Sequence, residues 1–118
     1  MVPENEAGEM VFKPAVDIDI KGEGIDISRH DLRINPEGET NYRIQEGAKE
    51  LIDKFNFQTY VYNKKMEFVL HTWLASGKHL DLLTGKEITL GSECCEKVKV
   101  DLDGKEVELR ICLRYYEA

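Results

Sequence analysis

The chain has 118 residues, 42% of them hydrophobic and 33% charged, and a formal net charge of −7 at pH 7. This length suits one domain with its own core. No run of about 18 apolar residues offers a transmembrane helix, and the acidic balance argues against direct binding to nucleic acid or to anionic membranes.

Residues 1–12 carry no periodicity and read as a mobile acidic arm before a single β-rich domain over 13–118. The start, Met1-Val2-Pro3-Glu4-Asn5-Glu6, is acidic where a secretory leader is basic and then apolar. That points to the cytoplasm, or to the host cytoplasm for a viral or phage product. Val16-Asp17-Ile18-Asp19-Ile20 then alternates strictly and Ile25-Asp26-Ile27 resumes the pattern. Period two marks strands with one apolar and one acidic face. With Gly22-Glu23 as a two-residue turn, Ile20 faces Ile25 and Ile18 faces Ile27. The same register sets Asp19 against Asp26, a like-charge pair that a sheet disfavours.

Leu32 and Ile34 suggest a short third strand ended by Pro36-Glu37-Gly38, and Tyr42 and Ile44 a further one. Ala48, Leu51, Ile52 and Phe55 fall at helical spacing, so 46–55 reads as one amphipathic helix. Phe57 to Tyr62 is aromatic and β-branched, and Asn63-Lys64-Lys65 turns the chain. Met66 to Leu74 is apolar on both faces, the pattern of a central strand. Leu80–Leu82 and Glu87–Leu90 read as a hairpin with Gly85 in the left-handed position. Asp103-Gly104 signals a type I′ turn that pairs Val100 with Val107 and Val98 with Leu109. The sum is an α+β fold: about eight to ten short, mostly antiparallel strands in a compact sandwich or curved sheet, with one helix near 46–55.

Ten acidic residues against four basic ones fall within the first 39 positions. Asp17, Asp19, Glu23 and Asp26 therefore form the candidate partner-binding surface, complementary to a Lys/Arg-rich protein. The same carboxylates are the oxygen ligands a hard cation takes, so a metal stays open there, although no EF-hand pattern is present. Tyr60, Tyr62 and Trp73 are candidate stacking residues for a ligand.

His30 and Asp31 are adjacent, and on a regular strand they point to opposite faces and share no proton. His71 shares a strand face with Val69 and Trp73 and reads as a half-buried histidine. Cys94, Cys95 and Cys112 read as three reduced thiols, because neighbouring cysteines join only through a strained peptide and Glu93 and Glu96 disfavour a thiolate. No cofactor motif is present; Gly22-x-Gly24 lacks both the third glycine and the helix of a phosphate loop.

The segment His79-Leu80-Asp81-Leu82-Leu83-Thr84-Gly85-Lys86-Glu87-Ile88-Thr89-Leu90 resembles a hairpin in the C-terminal β-sandwich domains of many glycoside hydrolases. Those domains are non-catalytic, so the resemblance implies a β-sandwich and no active-site residue.

The sequence thus suggests a small non-catalytic interaction protein or accessory subunit acting through its acidic surface, with a basic protein as partner and self-association left open. Two alternatives stand beside it. One is a carbohydrate-associated β module using Trp73 and the tyrosines. The other is a viral or phage inhibitor whose carboxylates mimic nucleic acid phosphates.

Overall fold

The computed structural model describes residues 12–47 and 51–118. They form eight antiparallel strands: β1 (Pro14–Gly22), β2 (Ile25–Arg33), β3 (Glu39–Ile44), β4 (Ile52–Tyr62), β5 (Lys65–Leu74), β6 (His79–Thr89), β7 (Glu93–Leu102) and β8 (Lys105–Glu117). Sheet I has the order β2-β1-β8-β7, and sheet II the order β3-β4-β5-β6. Each strand lies beside its neighbour in the chain except at β2/β3 and β6/β7, and β8 closes on β1. The topology is an up-and-down meander, closed like a barrel and split along two seams into facing sheets. No described helix is long and apolar enough to cross a membrane.

Alternation builds the interior. Ile18 and Ile20 of β1, Ile111, Leu113 and Tyr115 of β8, and Phe55, Phe57, Phe68 and Leu70 of β4 and β5 are all at most 2% exposed and belong to one apolar cluster. Each such side chain contributes roughly 1.5–3 kcal/mol by leaving water. Both seams carry an ion pair: Arg29 of β2 reaches Glu46 after β3, and Lys86 of β6 reaches Glu96 of β7. Charged side chains along open strand edges discourage pairing with other chains.

The α+β expectation is overturned: the described residues are all-β, with no helix. Residues 48–50 of the expected helix lie outside the described residues, but Ile52–Phe55 begin β4. Ile52, Phe55 and Phe57 are buried, and a short apolar run fits both the helical and the strand period. Pairing with β3 on one side and β5 on the other decides for the strand.

Two hairpin readings also change. Glu23-Gly24, with Gly24 at φ 74°, is the first turn, so Ile20 pairs with Ile27, Lys21 with Asp26 and Asp19 with Ser28. Gly22 serves packing instead: a Cβ there would collide with the Leu109 side chain and stand 2.9 Å from the Glu108 carbonyl oxygen. The expected hairpin over Leu80–Leu90 is one continuous strand with irregular pairing to β5, and Gly85 (φ 71°) sits inside it. The turn behind the glycoside hydrolase resemblance is therefore absent. The last hairpin forms as expected, with Asp103 at φ 53° and Gly104 at φ 92°.

Candidate functional site

The acidic residues of the first hairpin lie on the outer face of sheet I, where the structure partners them locally. Asp17 is the most enclosed, its side chain 16% exposed. Its Oδ1 accepts hydrogen bonds from the Asp31 amide (2.8 Å) and the Tyr116 hydroxyl (2.9 Å), and Arg114 Nη1 lies 3.6 Å from Oδ2. Burial pushes the Asp17 carboxyl up, but the Asp31 amide, the Tyr116 hydroxyl, His30 and Arg114 together hold it below its ordinary value. Asp19 lies 3.3 Å from His30 Nε2, Glu23 lies 3.4 Å from Lys105 Nζ, and Asp26 stands in register with Lys21.

A bulge makes this arrangement. Pairing between β1 and β2 shifts between Val16 and Ile18, so His30 and Asp31 together oppose Asp17. Asp31 takes φ 60°, a left-handed conformation that aspartate tolerates better than most residues. The chain bends where a regular strand would have sent His30 and Asp31 to opposite faces. They do not bond each other; His30 turns to Asp19 and Asp31 to Arg33 and Tyr116.

Two of the cysteines are joined. Cys95 and Cys112 form a disulfide between β7 and β8, with a Cα–Cα distance of 4.0 Å, and Cys94 remains free. This overturns the reading of three reduced thiols. Alternation sends Cys94 and Cys95 to opposite sides of β7, and the Asp103-Gly104 register brings Cys112 opposite Cys95. Cys94 points to the other side, where its Sγ lies 3.8 Å from Glu96 Oε2.

The outer face of sheet II carries a different surface. Register places Arg43, Asn56, His71 and Asp81 in one row across β3, β4, β5 and β6. Arg43 Nε donates to Asn56 Oδ1 at 3.2 Å. Trp73 and His79 form the next row; their rings are 4.8 Å apart, and those of His71 and His79 are 5.0 Å apart. On the other side of the polar row stand Asn41 and Gln58. Asn41, Arg43, Asn56, Gln58, His71 and Trp73 line a cleft of about 400 Å³, with His79 and Asp81 beside it in register.

The sequence puts them there by alternation. Phe55, Phe57 and Thr59 point inward, which turns Asn56 and Gln58 outward. Asn56 is nevertheless only 8% exposed, flanked by Arg43 and His71. His71 Nδ1 is buried and has no hydrogen-bond partner. Burial first, and then His79, hold the imidazole below its ordinary pKa, with Asp81 opposing. The cleft therefore offers a guanidinium, three amides, a neutral imidazole and an indole 37% exposed. That set can hydrogen-bond a polyhydroxylated ligand while stacking one of its apolar faces.

The three candidate stacking residues do not meet. Tyr60 is in register with Glu67, six residues along β5 from Trp73, a separation of about 20 Å. Tyr60 stands opposite Glu39, and Tyr62 donates to Glu87, which raises its pKa to about 12. The tyrosines occupy an acidic end of the face, and Trp73 alone belongs to the cleft. Arg43 and Gln58 fall in stretches that read as strands, but a helix over 46–55 leaves no register to bring Arg43, Asn56 and Gln58 together. The usable signal was polar residues alternating with Phe55, Phe57 and Thr59.

Among the described residues, no group of three or more His, Cys, Asp and Glu is arranged to hold a metal ion. Comparison with protein-family models, curated proteins and solved structures gives no match for this chain.

Proposed function

We propose that this protein is a non-catalytic binding module whose outer sheet II cleft takes a neutral, hydroxyl-rich ligand of the carbohydrate class. The row Arg43–Asn56–His71–Asp81 beside exposed Trp73 carries the reading. Carbohydrate ligands present hydroxyls to planar amides and guanidinium groups and a C–H face to an aromatic ring, and the cleft supplies both. Its breadth across three strands fits an extended ligand better than a small reactant. The bonded Cys95–Cys112 pair supports an oxidising compartment over the cytoplasm. The test is a glycan array followed by calorimetry on the wild type and Arg43→Ala. Saturable binding lost in the variant supports the reading, and no glycan bound at millimolar concentration rejects it.

A second reading keeps the acidic hairpin as a docking surface for a basic protein. It rests on Glu23 and Asp26, which face solvent at the hairpin tip in a chain of net charge −7. Association through them would weaken steeply with salt, whereas the cleft predicts little salt dependence.

A further inference from the structure

On the outer face of sheet I, Lys21 of β1, Arg110 of β8 and Lys97 of β7 stand in one register row. All three are exposed, and among the described residues none has a carboxylate within ion-pairing distance. Asp26, in register with Lys21 on β2, makes no ion pair with it. Adjacent strands lie about 5 Å apart, so the row sets three like charges side by side within roughly 10 Å. Directly opposed like charges destabilise a sheet. A chain with 23 acidic residues has ample means to neutralise such a row, yet leaves it bare.

The next row supplies a hollow. Asp19, Cys112 and Cys95 are the register neighbours there, and the two cysteines are tied together by their disulfide. The joined cysteines line the hollow together with Lys21, Arg110, Asp19 and Glu93, and the Lys21–Arg110–Lys97 row borders it. The two carboxylates repel a long polyanion running along the strands. A compact group centred over Arg110 instead has a cation on either side of it in its own row, Lys21 and Lys97.

We infer that the Lys21–Arg110–Lys97 row binds one tetrahedral oxyanion group, a phosphate or sulfate, centred on Arg110 at the edge of the disulfide hollow. The planar Arg110 fork matches two of its oxygens, and the flanking ammonium groups supply point charges. The site lies on the opposite sheet from the proposed carbohydrate cleft, so either assignment can fail without the other.

The test is the thermal unfolding midpoint of the full chain in inorganic phosphate, sulfate, acetate or chloride at matched ionic strength. At about 20 mM, phosphate and sulfate should raise the midpoint by a few degrees over chloride, as expected for an oxyanion bound with roughly millimolar affinity. Arg110→Gln should abolish that rise and, in chloride alone, raise the midpoint by removing the central repulsion. Lys97→Gln should reduce the rise, and Lys65→Gln on the far sheet should leave it unchanged. An equal rise in Arg110→Gln and the wild type, or an equal rise with monovalent acetate, overturns the assignment.

Discussion

Cys95 and Cys112 stand opposite each other on β7 and β8, their Cα atoms 4.0 Å apart, in the same register that pairs Val98 with Leu109 and Val100 with Val107. The type I′ turn at Asp103-Gly104 sets that register, and the bond ties the far part of the hairpin. Closing a loop with a sequence separation of 17 restricts the unfolded chain by about 3 kcal/mol. Thiol titration of the denatured, unreduced protein should find the single free cysteine, Cys94. Cys95→Ser with Cys112→Ser should lower the urea midpoint, and three titratable thiols with an unchanged midpoint would show that no bond forms.

Gly22 stands in register with Leu109 of β8, and a Cβ there would lie 2.9 Å from the Glu108 carbonyl oxygen. Gly22→Ala should destabilise by about 1–3 kcal/mol, the usual scale for overpacking a filled site. A Cβ at Gly24 meets nothing within 4 Å, so Gly24→Asn, a residue that tolerates positive φ, should cost well below about 1 kcal/mol. Chemical denaturation of the two variants separates packing from turn chemistry, and equal losses would remove the close-approach argument.

Asp17 and Asp19 should behave differently. Replacing Asp17 with Ala strands the Asp31 amide and the Tyr116 hydroxyl, a loss of about 1–3 kcal/mol. Asp19→Asn should stay within about 0.5 kcal/mol, because Asp19 faces Ser28 and meets His30 at the surface. The Asp17 carboxyl is held below its ordinary 3.8 when folded, so its contribution is present above that value and disappears as pH falls through the lower folded pKa. Urea midpoints of wild type and Asp17→Asn should therefore converge in strong acid. Constant separation from pH 7 downward would contradict this.

His71 shifts stability in the same direction, through burial of an imidazole rather than through partners of a carboxylate. Its imidazole is held below the ordinary 6.5 in the folded state, so below that pH the unfolded chain binds the extra proton first. Stability from this group is complete above pH 6.5 and declines as pH falls beneath it. His71→Gln should flatten that decline in urea midpoints measured between neutral and mildly acidic pH. An identical pH profile in the variant would remove His71 as its source.

Strand periodicity made much of sheet I and the last hairpin legible. The Val98–Leu109 register, extended three residues on each strand, already places Cys95 against Cys112. The number and spacing of the cysteines do not reveal the bond; only the hairpin that aligns Cys95 with Cys112 does. The first hairpin slipped by two residues because Gly22 was assigned to a turn, whereas contact with Leu109, remote in sequence, explains it. Ile52 and Phe55 fit a helical stripe but stand an odd number of residues apart for one strand face; a register shift between Ile52 and Lys54 brings both inside, and only pairing with β3 and β5 reveals it. Trp73 was visible as a candidate, but its companions Arg43 and Asn56 come from other strands, and their meeting depends on register.

Trp73 is the only tryptophan in the chain and sits at the cleft, so its fluorescence reports on that surface alone. The most direct measurement is a titration of neutral oligosaccharides against the wild type and Asn56→Ala, followed by tryptophan emission at low and high salt. A glycan-binding cleft gives a saturable change for at least one glycan, indifferent to salt and lost in Asn56→Ala. No change with any glycan, together with salt-sensitive binding of a basic protein that disappears in Glu23→Gln with Asp26→Asn, would contradict it.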